Sequence, residues 1–238
     1  MSNLVESRGL SKIYSVDYAV KDLDFSIPEG SIFGFMGPNG AGKTTTLRMM
    51  TGIIDPTEGT CSVDGLDVVS DKIGVKSLTG YLPEEDFLYG DMKVADHLRY
   101  MAELYGVADI GEAVHNALAL VEMEDHSGIV IKKLSKGQRR RVAIAKTLVH
   151  DPKLVVLDEV TSGLDPIYSV KMMQVIRNLK DKGKTVVFST HLLDEAMKLC
   201  DTLLVIDKGV KVGYGTIEGL LKETGCDNLE DAFFKMIG

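Results

Sequence analysis

The chain has 238 residues, 45% hydrophobic and 26% charged, ordinary composition for a soluble globular protein of one large domain or two small ones. Its 27 basic and 35 acidic residues leave a net charge of −8, which argues against broad nucleic-acid binding, an interaction that runs on phosphate neutralisation. No apolar run approaches the roughly 20 residues that cross a bilayer. The first thirty residues show no basic-then-apolar signal segment, and Cys61, Cys200 and Cys226 are too scattered for a disulfide scaffold or a Cys zinc site.

Strands and helices alternate, the pattern of a largely parallel sheet covered by helices. Leu23, Phe25 and Ile27 alternate with polar residues, which predicts an antiparallel strand with one wet face. Residues 32–36 form a continuous apolar run, the mark of a strand buried on both faces, and a short helix ending before Gly52 is expected after Thr44. From about 87 to 150 the texture is helical: Val94, Leu98, Met101 and Leu104, then Val114, Ala117, Leu118 and Val121, fall at helical spacing. Residues 154–157, 185–188 and 203–206 repeat the buried-strand signature, and with 32–36 are expected to form the central sheet. A last amphipathic helix, carrying Leu229, Phe233, Phe234 and Ile237, is expected to dock its apolar face on the body. The expected organisation is a sheet core over about 1–86 and 151–215, a helical insertion over about 87–150 and a helical tail over about 216–238.

The chemistry concentrates in a few segments. Gly37-Pro38-Asn39-Gly40-Ala41-Gly42-Lys43-Thr44 fits the P-loop pattern, with Thr45 next in the helix that follows. Its glycines let successive N–H groups turn towards a phosphate, and the helix N-terminus adds partial positive charge. Lys43 then supplies a charge for the β- and γ-phosphates, and the Thr44 hydroxyl a ligand for Mg²⁺. The strand 154–157 ends in Asp158, placed to hold Mg²⁺, and Glu159, one step further out where a general base can polarise water. His191 follows another buried strand, where it can reach the γ-phosphate and orient the attacking water. Ser135 is a natural N-cap for a helix opening with Lys136, Gly137 and Gln138, a second anion-binding N-terminus. The basic run Lys132, Lys133, Lys136, Arg139, Arg140 and Arg141 reads mostly as a solvated helix face.

Taken in order, Gly37–Thr44, Leu134–Gln138, Leu157-Asp158-Glu159, Ser162-Gly163-Leu164-Asp165 and His191 resemble an ATP-binding cassette (ABC) ATPase over essentially the whole chain. The LSxGQ-type signature discriminates it from other P-loop NTPases. The resemblance implies a P-loop NTPase α/β core with a mostly parallel sheet, an N-terminal antiparallel β subdomain and an inserted helical subdomain. It also implies an ATP sandwich of two cassettes, a homodimer being expected, with each P-loop closed by the partner's signature helix. Tyr14 matches the residue that stacks on adenine, and Ser162–Asp165 the D-loop at the dimer interface. Three positions depart from the family pattern: Glu84 stands at the Q-loop glutamine, where it can still reach Mg²⁺, Lys136 at a signature glycine, and Val160 at a proline.

The function implied is that of an ATP-hydrolysing subunit, peripheral on the cytoplasmic face of the membrane, which powers a transporter whose permease is a separate polypeptide. The Tyr-Leu-Pro-Glu-Glu segment at 81–85 and the 228–235 tail look like the export-type, multidrug-related subfamily. The alternative is a nucleotide-switched clamp in a cytosolic assembly. Against its chromosome-structuring form, residues 43–135 hold no sustained heptads.

Overall fold

In the computed structural model, which describes residues 2–238, two long strands come first. β1 (Asn3–Tyr14) and β2 (Asp17–Pro28) pair antiparallel across a tight turn at Ser15 and Val16. β2 buries Leu23, Phe25 and Ile27, as its alternation predicts. Periodicity does not reveal β1, because its inward face is partly hydroxyl. Ser7 donates to the Leu23 carbonyl (2.9 Å) and Ser11 to that of Gly9 (3.0 Å), so neither is left unpaired, and the register slips between Ser7 and Leu10.

β3 (Ile32–Met36) enters a second sheet and leads through residues 37–42 into α1 (Lys43–Met50). β4 (Glu58–Val63) returns to β1, and β5 (Leu66–Asp67) completes a four-stranded sheet in the order β2-β1-β4-β5. α2 (Lys72–Leu78) and β6 (Thr79–Leu82) precede a stretch of helices: α3 (Val94–Leu104), α4 (Ile110–Leu120) and α5 (Lys136–Leu148). Strand and helix then alternate through β7 (Leu154–Leu157), α6 (Pro166–Asp181), β8 (Thr185–Thr190), α7 (Leu193–Leu199) and β9 (Thr202–Asp207). β10 (Val210–Gly215) folds back antiparallel on β9, and α8 (Ile217–Thr224) and α9 (Leu229–Ile237) follow.

The second sheet has the order β10-β9-β3-β8-β7-β6, parallel throughout except for β10. The apolar runs make its centre as expected, but it is six-stranded: β6 and β10 flank them. β10 buries no residue fully, and β6 spends two of its buried places on Thr79 and Gly80, so neither carries a continuous apolar run. In β6 the glycine has a reason, since a Cβ at Gly80 would run into the Thr147 carbonyl.

Alternate residues of the central strands serve opposite cores, which is why the runs read as unbroken apolar sequence. Val155, Leu157, Val186 and Phe188 face the helices α3–α6. Leu154, Val156, Val187, Phe33 and Phe35 face α1 and the antiparallel sheet, where the Phe25 and Phe35 rings meet edge to face at 5.3 Å. The tail docks through buried Leu229 and the partly buried Phe233, Met236 and Ile237. Phe234, expected on the docked face, is exposed, as is Leu104 of α3. A helix turns about 100° per residue, so Phe234 cannot share the face of the docked Phe233.

His97 of α3 is 1% exposed with neither ring nitrogen hydrogen-bonded, and Tyr89 stands edge-on to it at 5.2 Å. Burial, helped by the Lys146 charge, pushes its pKa down to about 4 from the ordinary 6.5. A base with a depressed folded-state pKa lends full stability above pH 6.5 and loses it as pH falls towards 4, because the unfolded chain takes the proton first. Up to about 3 kcal/mol is involved at 1.36 kcal/mol per unit. Urea midpoints should therefore fall across that window, and His97→Leu should flatten that part of the slope. An unchanged slope would place the titration elsewhere.

Candidate functional site

Because β3, β8 and β7 lie side by side and parallel, their C-terminal ends open on one edge, where open α/β sheets bind ligands. Met36 pairs with Thr190 and Leu157 with Phe188, so the register brings the 37–44 loop, Ser189–His191 and Asp158-Glu159 to the same place.

The 37–44 loop is shaped by its glycines. A Cβ at Gly37 would run into the Ile206 carbonyl, and Gly42, the N-cap of α1 at φ 106°, would place one 2.6 Å from the Ala19 carbonyl. Lys43 opens α1, yet its side chain is 6% exposed and turns back along the loop. Its ammonium donates to the carbonyls of Gly37 (2.7 Å) and Pro38 (3.2 Å), and pairs with Glu159 Oε1 at 3.2 Å. A solvated surface lysine is thereby excluded.

Asp158 is 1% exposed. Its carboxylate accepts from Ser189 Oγ (2.6 Å) and from the Tyr81 hydroxyl (3.3 Å), whose pKa burial and the Asp158 charge push up to about 12. Tyr81 is thus held as a donor. Ser189 Oγ also accepts the Glu159 N–H at 2.9 Å, fixing the backbone where Glu159 takes a left-handed φ of 47°. The Glu159 carboxylate is gripped from both sides, by Lys43 on Oε1 and by His191 Nδ1 at 2.9 Å on Oε2.

A cleft of about 300 Å³ gathers Asn39, Gly40, Ala41, Gly42, Lys43, Thr44, Thr45, Glu84, Glu159, Ser162 and His191, with Ala19 at its wall. Other sequence candidates lie outside it. Tyr14 is 51% exposed at the end of β1, paired with Asp17 two residues before Ala19, so a core aromatic is excluded. Ser135 caps α5 as expected, in a full capping box with Gln138, whose amide also meets His126 at 2.9 Å. Gly137 packs against the Tyr168 ring, which a Cβ would strike. Lys136 Nζ donates to the Gly163 carbonyl (2.8 Å), next to the partly buried Leu164, and Asp165 caps α6 through the N–H groups of Ile167 and Tyr168.

In the basic run Lys132, Lys133 and Lys136 are exposed as expected, but Arg140 and Arg141 point inward. Arg141 is buried on the carbonyls of Val121 and Glu122. Arg140, 5% exposed, donates to the carbonyls of Pro83 (2.9 Å), Glu84 (2.9 Å), Asp158 (3.0 Å) and Val160 (3.1 Å), and pairs with Asp86 at 2.8 Å. Helical spacing alone carries a signal for this: with Gly137 and Ile144, Arg140 lies on the inward stripe of α5. Ser189 and Tyr81 had no such signal, since their roles exist only across strands.

The Thr44 hydroxyl and the Glu84 and Glu159 carboxylates line the cleft, and the buried Asp158 precedes Glu159 in the chain; such hard oxygens suit Mg²⁺, which takes one or two carboxylates and shares the rest with phosphate. They form no self-sufficient cage, for among the described residues no cluster of three or more His, Cys, Asp or Glu can hold a metal.

Fold and cleft together define a P-loop nucleotide-binding α/β protein. The family model described as ABC transporter matches residues 20–162. Nod factor export ATP-binding protein I of Cupriavidus metallidurans is 36% identical over 97% of this chain and 77% of its own length. The ABC transporter ATP-binding protein NatA of Bacillus subtilis is 35% identical over 92% of this chain and 90% of its own. Among solved structures, an ATP-binding subunit of an ABC transporter superposes with TM-score 0.88 at 26% identity, over 99% of this chain and 100% of that one. The chain belongs to the ABC transporter family, as an ATP-binding subunit with ATPase activity.

Proposed function

We propose that the protein is the motor of an exporter: it works as a pair of cassettes on the cytoplasmic face of the membrane, bound to a separate permease. Export is supported by its likeness to the Nod factor export proteins. Among the described residues no helix is long and apolar enough to cross a membrane, which suits a permease on another chain. Phe87 and Tyr89, exposed just after the 83–86 loop, and Tyr100, whose ring stands 6.0 Å from that of Tyr89, offer that permease an aromatic surface.

The P-loop amides and Lys43 bind and orient the triphosphate of ATP, and Tyr14 stacks on its adenine. Thr44 and Asp158 would hold Mg²⁺, with Glu84 reaching it from the rim. Held there, Mg²⁺ would supply neutralising charge to the phosphate. Glu159 accepts the proton of the attacking water as its oxygen bonds to the γ-phosphorus and the bond to the ADP oxygen breaks. His191, hydrogen-bonded to Glu159 Oε2, holds that carboxylate in position and meets the γ-phosphate.

The observation that carries the paired reading is the separation within one chain. Ser135, Lys136, Gly137 and Gln138 lie outside the cleft of Lys43, and beside their capping box the N–H groups of Lys136 and Gly137 at the start of α5 would meet a partner's γ-phosphate, with Ser162–Asp165 at the interface. Turnover per chain should then rise with protein concentration, and Ser135→Arg should abolish that rise while leaving nucleotide affinity within about two-fold. Concentration-independent turnover by a monomer of constant size would sink the sandwich. Co-purification from membranes with a hydrophobic subunit is the matching test of the permease.

A further inference from the structure

Arg140 occupies a position that the ATPase reading leaves without a role. It sits one turn into α5, on the same face as Lys136, and its guanidinium spans two segments that do not touch it in sequence. One is the 83–86 loop, bound through the carbonyls of Pro83 and Glu84 and the carboxylate of Asp86. The other is the segment that follows β7, bound through the carbonyls of Asp158 and Val160, with Glu159 O at 3.4 Å. Both segments deliver a carboxylate to the cleft, Glu84 from the first and Glu159 from the second.

A planar guanidinium with five donors in a fixed fork can hold two strands of carbonyls at a set spacing, which a lysine ammonium cannot. Lys136 adds a second hold further along, on the Gly163 carbonyl, and the Ser162 N–H closes back on the Glu159 carbonyl at 3.0 Å. The first turn of α5 therefore grips the chain on either side of Glu159.

We infer that Arg140 is a positioning residue that locks the 83–86 loop and the 158–160 segment to α5, so that Glu84 and Glu159 are placed together by the helix that carries Ser135. A displacement of that helix, such as a partner-bound nucleotide would cause, then reaches both carboxylates of its own cleft at once. This rests on Glu159 acting as the general base, and the readouts below separate the two.

The experiment is hydrogen exchange of the nucleotide-free protein over peptides 83–86 and 158–163, with ATP affinity and turnover measured alongside. Arg140→Lys keeps the charge and loses the fork. It should exchange faster in both peptides, bind ATP within about two-fold of the parent, and lower kcat at least ten-fold with little change in KM, the mark of a misplaced reacting group. Asp86→Asn, at a half-buried carboxylate, decides the matter independently of the fold of any Arg140 variant. It removes the ion pair at one end of the fork while the Pro83 and Glu84 carbonyls stay bound, so exchange should rise measurably, and less than in Arg140→Lys, at 158–163 as well as locally at 83–86. Unchanged exchange at 158–163 in Asp86→Asn overturns the lock. Faster exchange in Arg140→Lys with kcat at the parental value overturns the positioning role. Faster exchange with lowered kcat supports both, whichever group proves to be the base, because the exchange is read without nucleotide.

Discussion

Glu159→Gln is expected to bind Mg-ATP at least as well as the parent and to hydrolyse it about 10²–10⁴-fold more slowly, the usual worth of a general base. At 1.36 kcal/mol per tenfold this is roughly 3–5 kcal/mol of transition-state stabilisation. Glutamine keeps the shape and an acceptor oxygen for His191 Nδ1, but cannot take a proton. Affinity should hold or improve because the carboxylate also sits 3.2 Å from the Lys43 ammonium, so its removal frees that cation for phosphate. With one negative charge fewer near the γ-phosphate, the ATP-bound pair should live longer and be visible by size exclusion. Asp158→Asn should behave differently. Its carboxylate accepts from Ser189 and Tyr81, and its proposed work is holding the metal, so the Mg²⁺-dependent part of ATP binding should weaken. The two variants are best compared by nucleotide binding with and without Mg²⁺ and by single-turnover hydrolysis. Hydrolysis by Glu159→Gln within a few-fold of the parent would move the base to another group, His191 or Glu84.

Lys43→Ala is expected to abolish measurable hydrolysis and weaken ATP binding by about ten- to a hundred-fold. Charge-assisted hydrogen bonds are worth about 1.5–3 kcal/mol each, and in the cleft Lys43 is the lysine that the loop wraps around. A second consequence follows from its burial. The Lys43–Glu159 pair is largely shielded from water, and removing one partner leaves the other a buried charge, a change that costs about 3–5 kcal/mol in fully buried pairs. His191 stays hydrogen-bonded to the opposite oxygen of Glu159, so that carboxylate keeps one partner when Lys43 is removed. Isothermal titration with ATP and thermal melting measure both effects. Parental hydrolysis by Lys43→Ala would put the phosphate site elsewhere in the molecule.

Much of this protein is legible in its residues alone because the signals are local. A strand buried on both faces has to be apolar at every position, so 32–36, 154–157, 185–188 and 203–206 declare themselves, and the P-loop is recognisable because its glycines answer to backbone geometry within eight residues. Ser135 as a cap is equally local, needing only an acceptor three residues ahead of an N–H. Elements with a half-polar inner face or little burial fall below that threshold: β1 hides Ser7 and Ser11 inside, β6 buries Thr79 and Gly80, and β10 buries no residue fully. The fate of the basic run shows the same limit from the other side. Composition makes Arg139, Arg140 and Arg141 equivalent; helical spacing marks Arg140 as inward, but only packing sets the partners, a nearby carbonyl for Arg139, the helices for Arg141 and two loops from distant parts of the chain for Arg140. The sequence by itself determined the phosphate-binding loop, the carboxylates at the end of β7 and the alternating architecture, since each is written in neighbouring residues. Tertiary structure alone decided that Lys43 and His191 grip Glu159 from either side, that Ser189 and Tyr81 hold Asp158, and that Arg140 ties the cleft to α5. Those contacts join residues 30 or more positions apart in most cases, and their geometry exists only once strands β3, β8 and β7 are in register.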